Sequence, residues 1–256
     1  MKNRTIFLSV ILASTLAFAG CTGAKNTANS KSSSTPPPSK IAAKNGIKAF
    51  DKVITKDARK DEGVFTVYEQ DGKYFFEINN DLLDREMLMV SRIAGVPPGF
   101  SGFSSAGSKS AEQVITFSRS KDRILLRKKS YEAIADEELP VYESVRANNF
   151  EPVIAAFNIE ALSKDSSGIV IDVTDLFTKD VESISGIPSY LRRTYQIRRL
   201  DSDRSFVESV KSFPENIEVR QVMTYVAGNP PSAEYTQTLS VEVSQSLVLL
   251  PEEPMQ

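Results

Sequence analysis

"VFTVYEQDGKYFFEI", Val64 to Ile78, is two runs of alternating apolar and polar residues set around Asp71-Gly72. That dipeptide favours a type I′ hairpin turn, in which both central residues take positive φ. Pairing Gln70 with Lys73 fixes the register. It places Phe65, Val67, Tyr74, Phe76 and Ile78 on one face, with Thr66, Gln70, Lys73 and Glu77 on the other. The first face is core and the second is mostly wet. Tyr68, Phe75 and Val64 fall on the polar side, which therefore expects partial cover.

Working outward, a turn at Asp81 to Arg85 leads to an apolar strand, "EMLMVSRI", Glu86 to Ile93. Ala94 to Ser110, "AGVPPGFSGFSSAGSKS", is rich in Gly, Pro and Ser and reads as a long loop, a length uncommon without a purpose. Its Phe100 and Phe103 are placed to cap the core or to meet a partner. The glycine spacing does not match a phosphate-binding loop, since no Gly-Lys-Ser/Thr ending follows. Further strands are expected at Gln113 to Ser118, Arg123 to Lys129, Val153 to Glu160, Ile169 to Val173 and Arg193 to Arg199. Three more follow at Ser205 to Ser212, Ile217 to Val226 and Thr238 to Leu250. The strongest helix candidate is "LPVYESVRANNF", Leu139 to Phe150, with Pro140 in its first turn and Asn148-Asn149 stopping it. Short polar turns between successive strands argue for antiparallel pairing. The expected fold is of the α+β class, β-rich, with antiparallel sheets and few short helices.

The N-terminus reads differently. Lys2 and Arg4 precede an apolar run from Ile6 to Ala17, long enough for a secretory signal and short for a span. Phe18-Ala19-Gly20-Cys21 fits the small-small-Cys ending of a bacterial lipoprotein signal, although Phe18 replaces the usual aliphatic residue. Cys21 is the chain's one cysteine, so it has no disulfide partner, and it is the expected lipidation site. Several acyl chains at about 0.8 kcal/mol per buried CH₂ would make attachment to a membrane effectively permanent. Residues from Thr22 to Lys40 are Ser, Thr, Asn, Lys and Pro with almost nothing to bury, a tether. The expected organisation is a signal at 1–20, a tether at 21–46, a short helical or extended module at 47–62 and a β-rich module at 63–256. No acidic run follows Cys21, which favours the periplasmic face of the outer membrane.

Composition excludes several chemistries. The whole chain carries 31 basic and 33 acidic residues, and loss of Lys2 and Arg4 with the signal takes the formal charge from −2 to −4. Nucleic acid is not an expected partner, and "LRRTYQIRRL", Leu191 to Leu200, reads as a solvated strand face. There is no histidine, which removes zinc sites of the usual kind, Ser-His-Asp and Cys-His nucleophiles, and any histidine general base. Ser118 and Lys121 match the S-x-x-K spacing but sit at a turn with no Lys-Thr-Gly. The carboxylate pairs Asp172 with Asp175 and Asp201 with Asp203 could serve glycoside hydrolysis or hold a hard cation. Each also has a plainer reading: Asp175 as a helix cap or a turn residue after a strand, and Asp201-Ser202-Asp203 as a hairpin turn. No catalytic, cofactor-binding or metal-ligating residue is therefore assigned to this chain.

Taken in order, "DEGVFTVYEQDGKYFFEI", "LLDREMLMVSRIAG", "NNFEPVIAAFNIEA", "IDVTDLF", "RRLDSDRSFVESVKSFPENIEVR" and "SLVLLPEEPMQ" form a set. It resembles the N-terminal part of large lipid-anchored or secreted bacterial zinc-dependent metallopeptidases. The resemblance runs from about Ile47 to Gln256 and covers two adjacent regions of unknown function. In that family a metzincin-like H-E-x-x-H centre lies C-terminal to this part, and none of its residues has a counterpart here. The resemblance implies that the chain is the non-catalytic front of a tethered peptidase, with zinc only in the peptidase domain beyond it. The expected partners are the membrane, through lipidated Cys21, and that peptidase domain. The alternative expectation is a stand-alone envelope lipoprotein that binds a protein or a glycan.

Overall fold

The computed structural model describes residues 46–100 and 104–252. The signal segment, Cys21, the tether, Phe103 and the last four residues lie outside the described residues.

The expected hairpin forms β2 (Thr66–Gln70) and β3 (Lys73–Asn79), preceded by a short α1 (Phe50–Val53) and β1 (Arg59–Asp61). Gln70 pairs with Lys73, and Asp71 and Gly72 take φ of 52° and 73°, as the turn type requires. Then follow β4 (Glu86–Gly95), β5 (Lys109–Ser120), β6 (Arg123–Lys128), α2 (Tyr142–Asn148), β7 (Val153–Leu162) and β8 (Gly168–Asp172). The chain continues through α3 (Thr174–Thr178), α4 (Ser189–Thr194), β9 (Ile197–Leu200), β10 (Phe206–Ser212), β11 (Asn216–Ala227) and β12 (Thr238–Leu249). These twelve strands make one antiparallel sheet in the order β1-β2-β3-β8-β7-β6-β5-β4-β12-β11-β10, and β9 shares the outer edge of β11 with β10.

The sheet curls until its ends meet, which leaves a nearly closed barrel. At the seam the Val64 N–H donates to the Phe213 carbonyl at 2.7 Å. The Ser212 hydroxyl donates to the Phe65 carbonyl at 2.7 Å, and the Ser212 N–H to the Asp61 carboxylate at 3.1 Å. Gly63 permits this approach, since a Cβ there would lie 2.4 Å from Ser212 Oγ and 2.5 Å from the Phe213 carbonyl oxygen.

The inward face supplies the core. Phe65 meets Phe117 edge-on at 5.5 Å and Phe76 at 5.7 Å, and Phe76 reaches Phe177 of α3 at 6.3 Å. α3 thus acts as a plug, with Leu176 and Phe177 buried among the strands. A second apolar group lies farther along the same sheet, built from Leu191, Tyr195, Met223, Tyr225, Leu239 and Val241. Between the two sits a buried polar layer. Ser91 donates to Gln245, Gln245 donates to the Ile184 carbonyl, and Gln113 donates to the Ser183 carbonyl. Paired in this way, buried amides avoid the desolvation cost of an orphaned group and pin residues 183–184 across the barrel.

The outer side of the first hairpin is covered, as its aromatic residues require. Tyr68 and Phe75 pack with Val53, Ile54, Ala161 and Val170, and Phe50 meets Tyr68 at 5.9 Å. Val64 departs from the hairpin alternation. It packs into the inner core because regular strand begins only at Thr66 and the seam turns residues 63–65 inward. Three more expectations need correction. Arg193 to Arg199 is not one strand: residues 189–194 are helical because Leu191 and Tyr195, four apart, both face the second apolar group. The chain then turns at Gln196, φ 49°, before β9. Asp201-Ser202-Asp203 is a 3₁₀ turn and not a hairpin turn, since β9 and β10 both pair with β11 and not with each other. The helix expected over Leu139 to Phe150 shrinks to Tyr142–Asn148 because no face of it is buried.

Candidate functional site

Asp172 and Asp175 line an open cleft of about 440 Å³ together with Lys73, Glu160, Asn158 and Lys179. Strand β8 ends at Asp172, whose carboxylate accepts from the Thr174 N–H at 3.0 Å and hydroxyl at 2.6 Å, the turn that starts α3. Its other oxygen accepts from Lys73 Nζ at 3.0 Å, and this hydrogen bond raises the Lys73 pKa above its ordinary value. Asp175 pairs with Lys179 one helical turn on, at 2.7 Å. Both acids thus have local structural work. Both side chains keep contact with solvent, Asp172 at 25% and Asp175 at 72% exposure.

The second pair separates in role. Asp201 accepts two hydrogen bonds from Arg204, and that contact lowers the Asp201 pKa. The geometry is that of a turn. Ser118 accepts from Arg127 Nε at 3.2 Å, and Lys121 sits in the β5–β6 turn with φ 56°, so the two do not form a nucleophile and base. Among the described residues no three His, Cys, Asp or Glu side chains gather closely enough to hold a metal ion. With no histidine in the chain, these residues do not fit zinc.

Sequence reasoning missed the densest electrostatic cluster. Arg192 of α4 forms a two-pronged pair with Asp180, donates to Ser185 Oγ at 2.8 Å and to the Ile187 carbonyl at 3.3 Å, and stacks 5.4 Å from the Tyr225 ring centre. The Tyr225 hydroxyl donates toward Asp180 at 3.4 Å. Burial, then the Asp180 charge, pushes the Tyr225 pKa up to about 12. These polar groups engage one another and so clamp residues 180–192, with the Asp180 side chain still 27% exposed. The long loop behaves similarly, because Phe100 stacks on Tyr195 at 5.2 Å and caps the second apolar group. Of the two uses expected for Phe100, the cap is the one observed.

The connection between β6 and β7 stays uncovered. Its roots are firm. The Lys128 N–H donates to the Pro152 carbonyl at 3.0 Å, Arg127 donates to the Glu151 carbonyl at 3.1 Å, and Lys129 pairs with Glu151 at 2.9 Å. Tyr131 lies against Glu86 of β4, where burial and then that hydrogen bond push its pKa up to about 12. Between the roots, none of the residues from Tyr131 to Phe150 is buried. Ile134 is 75% exposed and Phe150 74%, with Leu139 and Val141 also open.

With this geometry in hand, the comparisons place the chain. Residues 107–256, more than half of it, match the model described as Domain of unknown function (DUF5117). The chain belongs to the DUF5117 family. Residues 47–96 match a second model, Domain of unknown function (DUF5118), so the two domains are adjacent. Neither the curated proteins nor the solved structures contain a match. The DUF5118 stretch supplies β1 to β4, with β1–β3 at one end of the sheet and β4 between β5 and β12 of the DUF5117 stretch.

Proposed function

We propose that this barrel is the non-catalytic front of a membrane-tethered bacterial zinc-dependent metallopeptidase, where it supports or shapes a peptidase domain. One observation carries the reading. The barrel interior is filled by side chains, and of the four acids that could do chemistry Asp172, Asp175 and Asp201 are each engaged by a lysine, an arginine or a turn, while Asp203 lies exposed on a 3₁₀ turn. Such a body offers rigid surface where a reaction centre would need open, convergent groups. The resemblance noted above supplies the peptidase context, and the lipoprotein ending at Cys21 supplies the tether.

In this role the closed sheet holds its partner at a fixed attitude, with the peptidase providing zinc and the reacting groups. The test is the size of the native product in its own cells, read in the membrane fraction with an antibody against residues 47–256. A band several tens of kDa above the 28.3 kDa of this chain, with chelator-sensitive peptide cleavage in the same fraction, is the expected result. A band at or just below that mass overturns the peptidase reading and leaves the stand-alone binding lipoprotein.

A further inference from the structure

We infer that the β6–β7 arm, residues 131–150, docks onto a folded protein face that carries an apolar groove rimmed by lysine and arginine. The inference stands on the arm alone and goes beyond the proposed function. Ile134, Leu139, Val141 and Phe150 give the arm four large exposed apolar side chains, Phe150 with the Arg127 guanidinium 5.4 Å from its ring centre, and α2 within the arm buries none of its residues. A free connection of twenty residues would ordinarily be polar, so side chains of this size in water mark an interaction surface. The arm is also presented on fixed ends, through the Lys128–Pro152 hydrogen bond and the Lys129–Glu151 pair. That limits the ordering entropy lost on docking.

Charge selects the partner. From Glu132 to Arg146 the arm carries Glu132, Asp136, Glu137, Glu138 and Glu143 against Arg146 alone, which pairs with Glu143 at 2.9 Å. Glu132, Asp136, Glu137 and Glu138 meet no lysine or arginine among the described residues. Asp136 and Glu137 accept hydrogen bonds from the Glu138 N–H and the Tyr142 hydroxyl within the arm but have no cation, and apolar side chains beside acids without counter-charges suit a groove with a cationic rim. An anionic lipid surface attracts basic segments by about 1 kcal/mol per residue and repels acidic ones, and nucleic acid repels them too. A protein face is therefore the occupant that fits.

The test uses the full chain in its own cells, with photoreactive benzoylphenylalanine placed at Ile134, Leu139 or Phe150 in turn, and at Lys73 as a control on the wet face of the first hairpin. After illumination, the three arm positions are expected to join one protein. Their mapped adducts should converge on a single patch with an apolar centre and a lysine and arginine rim, and position 73 should yield none. The combined variant Asp136→Lys, Glu137→Lys and Glu138→Lys should cut the adduct at least tenfold while the thermal unfolding midpoint stays unchanged. Adducts to lipid, to a second copy of this chain or scattered over many proteins overturn the inference, as does a yield that survives charge reversal. A single patch of that kind supports the docking whether or not the protein is a peptidase, and the size of the native product tests the proposed function independently, so the two fail separately.

Discussion

Replacing Gly63 with alanine tests whether the barrel depends on its seam. A Cβ at residue 63 would lie 2.4 Å from Ser212 Oγ, 2.5 Å from the Phe213 carbonyl oxygen and 2.6 Å from the Phe213 nitrogen. The serine can rotate away, but the two backbone atoms belong to the end of β10 and cannot move without it. Overpacking of this sort costs about 1–3 kcal/mol. Relief by separation also strains the Val64 to Phe213 and Ser212 to Phe65 hydrogen bonds, at about 1 kcal/mol each. The total is roughly 3–5 kcal/mol, a large part of the 5–15 kcal/mol typical of a folded domain. Urea unfolding of the full chain, followed by far-ultraviolet circular dichroism, reads this directly. With m near 2–3 kcal/mol/M, the midpoint of Gly63→Ala should fall by roughly 1–2.5 M. An unchanged midpoint would show that the two ends of the sheet contribute nothing to stability by meeting, and the closed description of the fold would be wrong.

Three further outcomes follow from the same structure. The Tyr225 hydroxyl has a folded pKa pushed up to about 12 from an ordinary value near 10, so its contribution is complete below pH 10. Above that the unfolded chain releases the proton first, and stability falls by about 1.4 kcal/mol per pH unit up to about pH 12. Tyr68 and Tyr131 shift in the same direction, so the signature is a shallower alkaline loss in Tyr225→Phe than in the parent, read by unfolding at stepped pH. Ile134→Ser on the arm should change stability by no more than about 0.5 kcal/mol, whereas Phe117→Ala in the core should cost about 3–5 kcal/mol. Equal effects in denaturant would mean that the arm is packed in solution. Phe100→Ala removes the stack on Tyr195 and should cost about 1–2 kcal/mol, with increased proteolysis of the 96–108 loop as the readout.

The hairpin at residues 64–78 was legible because three signals agreed: period-two alternation, an Asp-Gly turn and a register that sorts apolar side chains onto one face. The long strands β4, β11 and β12 were legible for similar reasons of length and alternation. Closure was not. It rests on Gly63 meeting Ser212 and Phe213, residues some 150 positions apart, and local patterns carry no information on which edges meet. Helix α4 was read as strand because its arginines masked the Leu191 and Tyr195 spacing, which only burial against Tyr225 and Leu239 makes decisive. The Asp180–Arg192 clamp was equally invisible, since neither residue belongs to a motif. At the carboxylate pairs the contacts differ from the turns and caps expected: Asp175 pairs with Lys179 and caps nothing, while Asp172 and Asp201 hold the turns before α3 and β10. The apolar arm could have been suspected from Ile134, Leu139 and Val141 lying beside an acidic run, a mixture that suits neither a core nor a solvated loop.

The position of β12 has a consequence for how the chain reaches this structure. It is made after the other eleven strands of this sheet, yet it lies in the sheet's interior, with β4 on one side and β11 on the other. Until residues 238–249 arrive, β4 and β11 each present an unpaired edge to their surroundings, a template for misassociation. Contacts such as Met89 with Leu247 span most of the described chain, and so non-local a topology folds slowly. The strand works as a keystone: until residues 238–249 are in place the rest of the arch cannot lock, and their loss would release both flanks at once.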